Sequence, residues 1–489
     1  MDYCKKGWQI VQLPLNYLAL RLATSLSLLS LPLAVASGAA PLKTGRPNII
    51  LIVADQWRQE AFGFAGNADV KTPYLDKFAA ESVRFENAVA TIPVCTPTRA
   101  SLLTGRYGTS TGMYMNDVPL PANIPTLPSA LASVGYQTAF IGKWHLDGHG
   151  RSAFIPSERQ HAFQYWKGLE CTHDYNRSYY YSGSNPKQLQ WPGYDADAQT
   201  ADAANVIRER AESNKPFFLM LSWGPPHEPY QTAPERYRAM YAADKLHLRP
   251  NVPAEKATAA RTDLAGYYAH CSAIDDCFGR LMECLRQVGA DKNTIVVFTS
   301  DHGDMIGSHG SAKKQQPWEE SCRVPLMVRY PAQLSGSVNA SAIATEDIMP
   351  TLLGLAGIRA PRGVQGRNFV GCLSGGKDPS NGAALVMCPA PFGQWARSIG
   401  GKEYRAIRSV QYTYARDLNG PWLLFDNRTD PYQLHNLVNN PPTMQIQLSL
   451  DTELRRRLKQ RGDRFEPASV LIKRNGYQVD ATGTVTYEP

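Results

Sequence analysis

The chain has 489 residues, 43% of them hydrophobic and 19% charged, with a formal net charge of +8. That length and mixture support a large core with room for a second, smaller unit, and they exclude general disorder. Lys5, Lys6 and Arg21 against Asp2 put +2 of the charge in the first 36 residues; the mildly basic remainder suits anionic small molecules, and without a Lys/Arg-dense stripe it speaks against nucleic acid.

Residues 1–36 read as a secretion signal. Basic residues precede an apolar run from Leu22 to Ala36, and Ala34-Val35-Ala36 supplies a small-x-small cleavage pattern. The run is short for a membrane span and Pro32 interrupts it, so an uncleaved anchor is the lesser alternative. The expected location is periplasmic or extracellular, with membrane contact only through the export signal. Beyond Cys4 the cysteines are scattered, with no CxxC pair, and are expected to be mostly buried free thiols.

From residue 48 onward, apolar strands alternate with amphipathic helices. Asn48–Ala54 is a continuous apolar run, the pattern of a strand buried on both faces. Thr72-Pro73 opens a helix to about Ser82, and Leu127–Val134 is a second helix, followed by the strand Gln137–Ile141. The segment 151–200 is poorly periodic and rich in aromatics, including Tyr165, Trp166, Tyr175, Tyr179–Tyr181 and Trp191. These rings either wall a substrate pocket or pack a long loop onto the body. Ala201–Glu212 is a helix, Phe217–Ser222 a buried strand, Asp263–Val288 a long helix and Thr294–Thr299 another strand. Such alternation predicts a mainly parallel sheet with helices on both faces, spanning 47–375.

After about residue 375 short strands with tight turns follow, at Ala384–Met387, Tyr404–Ile407, Tyr412–Arg416 and Trp422–Asp426. With a polar helix near Thr443–Gln460 they predict a smaller antiparallel subdomain over 376–465, covering one edge of the main sheet. The pattern leaves the structure of the tail, 466–489, open.

Chemistry in parallel α/β folds collects at the carboxyl ends of strands. Here Asp55-Gln56, Lys143-Trp144-His145, Pro226-His227 and Asp301-His302 each follow a strand. Between the first two lies Cys95-Thr96-Pro97-Thr98-Arg99, continued by Leu102-Leu103-Thr104-Gly105-Arg106. Pro97 suits a first helical turn, which puts Cys95 at a helix N-terminus, where free N–H groups and the helix dipole favour an anion. A plain thiolate nucleophile is the competing reading, but the chain carries no His–Asn/Asp partnership of the cysteine-hydrolase type.

The C-x-P-x-R stretch with its L-L-T-G-R continuation resembles the signature of the formylglycine-dependent sulfatases of the alkaline phosphatase-like superfamily. The resemblance runs from Pro47 to about Asn440. It implies a sandwich with a large, mainly parallel sheet plus a smaller C-terminal antiparallel sheet. It further implies that Cys95 is oxidised to formylglycine (3-oxoalanine) by a dedicated maturation enzyme. Asp55 and Gln56 match the family's first metal-binding pair, and Asp301 and His302 in S-D-H-G-D match the second. The metal set is therefore Asp55, Gln56, Cys95, Asp301 and His302, with one divalent ion, usually Ca2+ in the family. Many members carry Asp in place of Gln56 and Asn in place of His302; the substitutions lower the site's negative charge and add a nitrogen ligand.

Gly142-Lys143-Trp144-His145-Leu146 and Pro226-His227-Glu228-Pro229-Tyr230 match further family elements. Lys314, ahead of Trp318-Glu319-Glu320 and Arg323-Val324-Pro325-Leu326, matches the family's second lysine, with Lys313 its neighbour. The implied roles are Lys143, Lys314, His227 and Arg99 on the sulfate group, His227 aided by Lys314 as acid for the leaving oxygen, and His145 as base. Asp301 is implied in activating the attacking hydroxyl. The implied activity is hydrolysis of sulfate monoesters, on small or carbohydrate substrates. A phosphoester or phosphonate hydrolase of the same superfamily, and a non-catalytic binder of sulfated glycans, are the alternatives.

Overall fold

The computed structural model describes residues 45–213 and 215–487; the leader expected over 1–36 lies outside them. A ten-stranded sheet has the order β10-β2-β9-β8-β1-β7-β3-β4-β5-β6. Its strands are β1 (Asn48–Asp55), β2 (Val83–Val89), β3 (Gln137–Lys143), β4 (Tyr165–Leu169), β5 (Tyr179–Ser182), β6 (Asn185–Gln190), β7 (Phe217–Pro226), β8 (Thr294–Ser300), β9 (Leu326–Arg329) and β10 (Ser337–Ala344). β8, β1, β7, β3 and β4 form an unbroken parallel run, and only β9 and β5 point against the rest.

The apolar run of β1 is covered on both faces. Ile49, Leu51 and Val53 point into one core, with Leu102 and Leu103 of the Cys95–Thr104 helix and Leu352 of the Thr345–Leu355 helix. Ile50, Ile52 and Ala54 point into the other, with Ala203 of the Asp195–Ala211 helix and Leu264, Ile274 and Leu281 of the Ala257–Gln287 helix. This is the period-2 alternation of a strand between two helical layers.

A second sheet, β11 (Ala383–Cys388), β12 (Tyr404–Ser409), β13 (Tyr412–Asp417) and β14 (Gly420–Asp426), is antiparallel throughout. Its Ala384, Val386, Tyr404 and Ala415 share a core with Ala342 and Ala344 of β10 and with Val89 of β2, so it covers the β10 edge of the large sheet, as the sequence predicts. The Met444–Gln460 helix follows, and the tail contributes one more helix, Ala468–Asn475.

The aromatic stretch 151–200 holds β4, β5 and β6 and the start of the Asp195–Ala211 helix. Trp166, Tyr175, Tyr181 and Trp191 are buried in the body of the protein. Among the described residues, all cysteines after the leader are free and buried.

Candidate active site

Cys95 is the first residue of its helix, with the extended Val94 as the cap. Three of the four polar strand ends and the Lys314 loop converge on its Sγ, and His227 of the fourth reaches Lys314. Around it stand His302 Nε2 at 3.3 Å, Lys314 Nζ at 3.5 Å, Lys143 Nζ at 3.7 Å and Asp55 Oδ1 at 3.9 Å. Burial and Asp55 resist ionisation of this thiol, yet Lys143, Lys314 and His302 together hold its pKa well below the ordinary cysteine value. The position is built for an anion. The sulfur marks where an oxygen of the matured residue would sit.

Beneath it lies a metal-binding constellation: one ligand atom each from Asp55, Cys95, Asp301 and His302 falls within 4.8 Å of the others. His302 donates its Nδ1–H to the Gly303 carbonyl at 2.9 Å, so in the neutral ring Nε2 is an acceptor facing inward. That nitrogen meets Oδ1 of Asp55 and Oδ1 of Asp301, each at 3.5 Å. With that ring neutral, two carboxylate oxygens and an imidazole nitrogen converge in a way that fits a hard cation. The outer oxygens face away. Arg99 reaches Asp55 Oδ2 at 3.1 Å through one terminal nitrogen and Asp301 Oδ2 at 3.0 Å through Nε, and it donates to the Lys143 carbonyl and Ser222 Oγ. Arg99 therefore spends its donors on bracing the carboxylates, and it is not among the residues lining the reaction cavity.

Gln56, in the left-handed region at φ 67, gives its backbone N–H to Asp301 Oδ1 at 3.0 Å. Its side chain ties three neighbours together: Oε1 accepts from Lys314 at 2.8 Å, while Nε2 donates to Asp304 and Glu228 at 2.6 and 2.8 Å. The amide oxygen keeps one lone pair for a cation. Asp304, inside the S-D-H-G-D stretch, is a site residue that the motif contained and sequence reasoning passed over.

His227 and Lys314 form a coupled pair, with Nζ 2.7 Å from Nε2. The His227 Nδ1–H donates to the Glu228 carbonyl at 2.8 Å, so Nε2 is the acceptor and the ammonium the donor. Burial and the Lys314 charge push the His227 pKa down to about 3. That tuning favours the resting proton of this pair on Lys314, with His227 as its neutral partner. The His173 ring stacks on His227 with centroids 4.8 Å apart.

His145 stands across the cavity with φ 58. Its Nε2 bonds Asp117 Oδ1 at 2.9 Å, and its Nδ1 is buried without a partner. Burial alone would lower its pKa, but Cys171 and Asp117 outweigh that and raise it to about 10. Asp117 also takes a two-pronged contact from Arg151 and the hydroxyl of Tyr487. No motif announces Asp117, Arg151 or Tyr487.

The cavity above Cys95 has a volume of about 230 Å³. Its wall carries the cationic side chains of Lys143, Lys314, Arg151 and Lys313, alongside Glu228 and His173. The aromatic rings of 151–200 do not line it; the same segment supplies Arg151, Cys171 and His173 instead.

A buried cluster of two carboxylates and a histidine beside a cysteine at a helix N-terminus, at the carboxyl ends of parallel strands, is the arrangement of the alkaline phosphatase-like hydrolases. The fold agrees: a phosphonate monoester hydrolase of Agrobacterium radiobacter superposes with a TM-score of 0.70 at 24% identity, covering 91% of this chain and 100% of that one. The family model "Sulfatase" matches residues 47–358, and "N-sulphoglucosamine sulphohydrolase, C-terminal" matches residues 307–460. An ulvan-active sulfatase of Formosa agariphila is 44% identical over 437 residues, 88% of this chain and 85% of the relative. A structure solved in complex with its substrate D-glucosamine-2-N,6-O-disulfate has a TM-score of 0.77 at 25% identity, covering 87% of this chain and 99% of that one. This chain belongs to the sulfatase family, and it is a sulfuric ester hydrolase.

The His145–Asp117 pair predicts a pH signature. Because the His145 pKa lies above 6.5 in the folded state, at about 10, the pair's contribution to stability is full below pH 6.5 and fades as pH climbs through 10. Asp117→Asn should therefore cost about 3 kcal/mol in urea unfolding below pH 6.5, the scale for breaking a buried charged pair. The gap from the parent protein should shrink as pH approaches 10; a gap independent of pH would contradict the pairing.

Proposed function

We propose that this sulfatase is an exported enzyme that removes sulfate monoesters from carbohydrates bearing further negative charge, through a formylglycine made from Cys95. The carrying observation is the placement of Cys95 Sγ at the helix start, within 3.3–3.9 Å of His302, Lys314, Lys143 and Asp55. The Arg151 and Lys313 side chains at the rim, each 43% exposed though paired with Asp117 and Glu228, support an anionic leaving group. The name of the ulvan-active relative points the same way. The leader pattern in 1–36 supports export. The oxygen-rich donor set of Asp55, Asp301 and Gln56, with His302, supports Ca2+. Bound there, the ion would supply charge neutralisation of the nucleophile and sulfate oxygens.

Formylglycine takes up water to give a gem-diol, and one hydroxyl attacks sulfur, with Asp301 placed beside it to take its proton. Lys143 and Lys314 neutralise the sulfuryl oxygens as charge develops. The leaving alkoxide draws its proton from the Lys314–His227 pair, which holds that proton on Nζ at rest. The second hydroxyl of the sulfated diol then loses its proton as the C–O bond to sulfate breaks and the aldehyde is restored, with His145 in its neutral form as the base. Asp117 on the other ring nitrogen stabilises the imidazolium so formed. A serine or thiol has no second hydroxyl, and its sulfated form has no such route to release. This is the reason the family resorts to an aldehyde.

Mass spectrometry of the peptide around residue 95, from protein made alongside a sulfatase-maturing enzyme, should show the aldehyde in place of the thiol. Cys95→Ser should bind substrate yet lose at least about a thousandfold in kcat, the scale on which removing a covalent nucleophile acts. Wild-type turnover by that variant would refute the scheme. Dialysis against a chelator should abolish sulfate release, and Ca2+ should restore it better than Zn2+ or Mn2+. His227→Ala should slow esters of poorly acidic alcohols about tenfold more than activated aryl sulfates, since only the former need the proton. Equal losses on both would remove His227 from the proton path.

A further inference from the structure

The chain beyond the Ala468–Asn475 helix turns back across the body. Tyr477 donates its hydroxyl to the Gly112 carbonyl at 3.0 Å and sets its ring 5.7 Å from that of Tyr114. Val479 and Val485 then pair antiparallel around a tight turn, closed by Asp480 N–H to the Thr484 carbonyl at 2.8 Å. Gly483 holds φ 76 in that turn, and the Asp480 carboxylate collects the backbone N–H groups of Thr482 and Thr484. The hairpin is thus internally bonded. It is also bonded outward, since Gly393 gives its N–H to the Thr482 carbonyl at 3.1 Å.

Two contacts bring this hairpin into the active site. Thr484 lines the same cavity as Cys95, together with Phe392, Gly393 and Gln394. Tyr487 donates its hydroxyl at 2.6 Å to Asp117, the carboxylate that holds His145. The regions matched by the two family models end at residues 358 and 460, so the hairpin lies beyond both.

The cavity it helps to close, about 230 Å³, falls below the roughly 300–1,000 Å³ of sites that enclose drug-sized ligands. Such a space takes one sulfated ring. A polymer running through would have to enter on one side and leave on the other, which needs a groove, and the hairpin with the 392–394 loop occupies part of that rim. We propose that the 477–487 hairpin is the wall that turns this site into a blind pocket, so that the enzyme desulfates terminal sugar rings and not interior ones, with Tyr487 latching the wall to Asp117. The inference rests on the sulfatase reading above and adds the mode of action to it.

The test uses an aryl sulfate, so that it does not depend on knowing the natural glycan. Full-length matured enzyme is assayed on 4-methylumbelliferyl sulfate free in solution and joined through its ring to the middle of dextran chains. The wild type should have a kcat/KM at least about tenfold lower on the coupled substrate, the scale on which pocket shape discriminates. A chain ending at Gln478, and separately Tyr487→Phe, should raise the coupled-to-free ratio, the truncation more than the point variant. If the truncated chain is inactive on the free ester, Tyr487→Phe decides by the same ratio. Equal wild-type rates on both substrates, or a ratio unmoved in variants active on the free ester, would overturn the blind-pocket inference alone. A wild type with the aldehyde in place but no activity on the free ester would instead overturn the sulfatase reading, and this inference with it.

Discussion

Everything at this site depends on the two ion pairs that Arg99 makes inside the protein. Asp55 and Asp301 are fully buried and aim one oxygen each at the same imidazole nitrogen. Neighbouring carboxylates in a low-dielectric interior repel, and both burial and Asp55 push the Asp301 pKa up. Arg99 relieves this from behind by contacting the outer oxygens, and its other donors fasten it to the Lys143 carbonyl and Ser222. A planar guanidinium with several donors can bridge two carboxylates and two strand ends at once; an ammonium cannot. Breaking such a buried arrangement by removing one partner leaves uncompensated charge worth about 3–5 kcal/mol.

From that strut the polarity of the pocket follows. With the outer carboxylate oxygens neutralised, the inner ones face a cation site, and Lys143 and Lys314 stand over Cys95 as the positive half of the cavity. The two histidines are tuned in opposite directions by their surroundings: burial and Lys314 keep His227 neutral, and Cys171 with Asp117 favours the charged form of His145. One residue type is thereby held in two protonation states within one pocket.

How much of this was legible in the chain depends on how local the signal is. The apolar run of β1, the helix start at Pro97 and the polar residues after each strand follow from periodicity, capping and the geometry of parallel sheets. Their convergence was readable, because strand ends of a parallel sheet lie along one edge. The direction in which Arg99 points was not, since helix position sets only a face and not a partner. The 151–200 stretch was ambiguous because tyrosines and tryptophans serve cores and pockets equally well; packing against the sheet settled their place, and Arg151, Cys171 and His173 reached the cavity instead.

The amino-acid sequence by itself determined the chemistry: which nucleophile precursor, which carboxylates, which lysines and histidines, in an order that names the family. Local patterns carry that information, because a motif needs only its own neighbours to be recognised. The tertiary structure alone decided that Asp117 orients His145, that Lys314 holds the proton of its pair, and that Tyr487 reaches Asp117 across 370 positions of chain. Contacts that distant leave no periodicity and no spacing to read. They exist only once the sheet has brought their elements together.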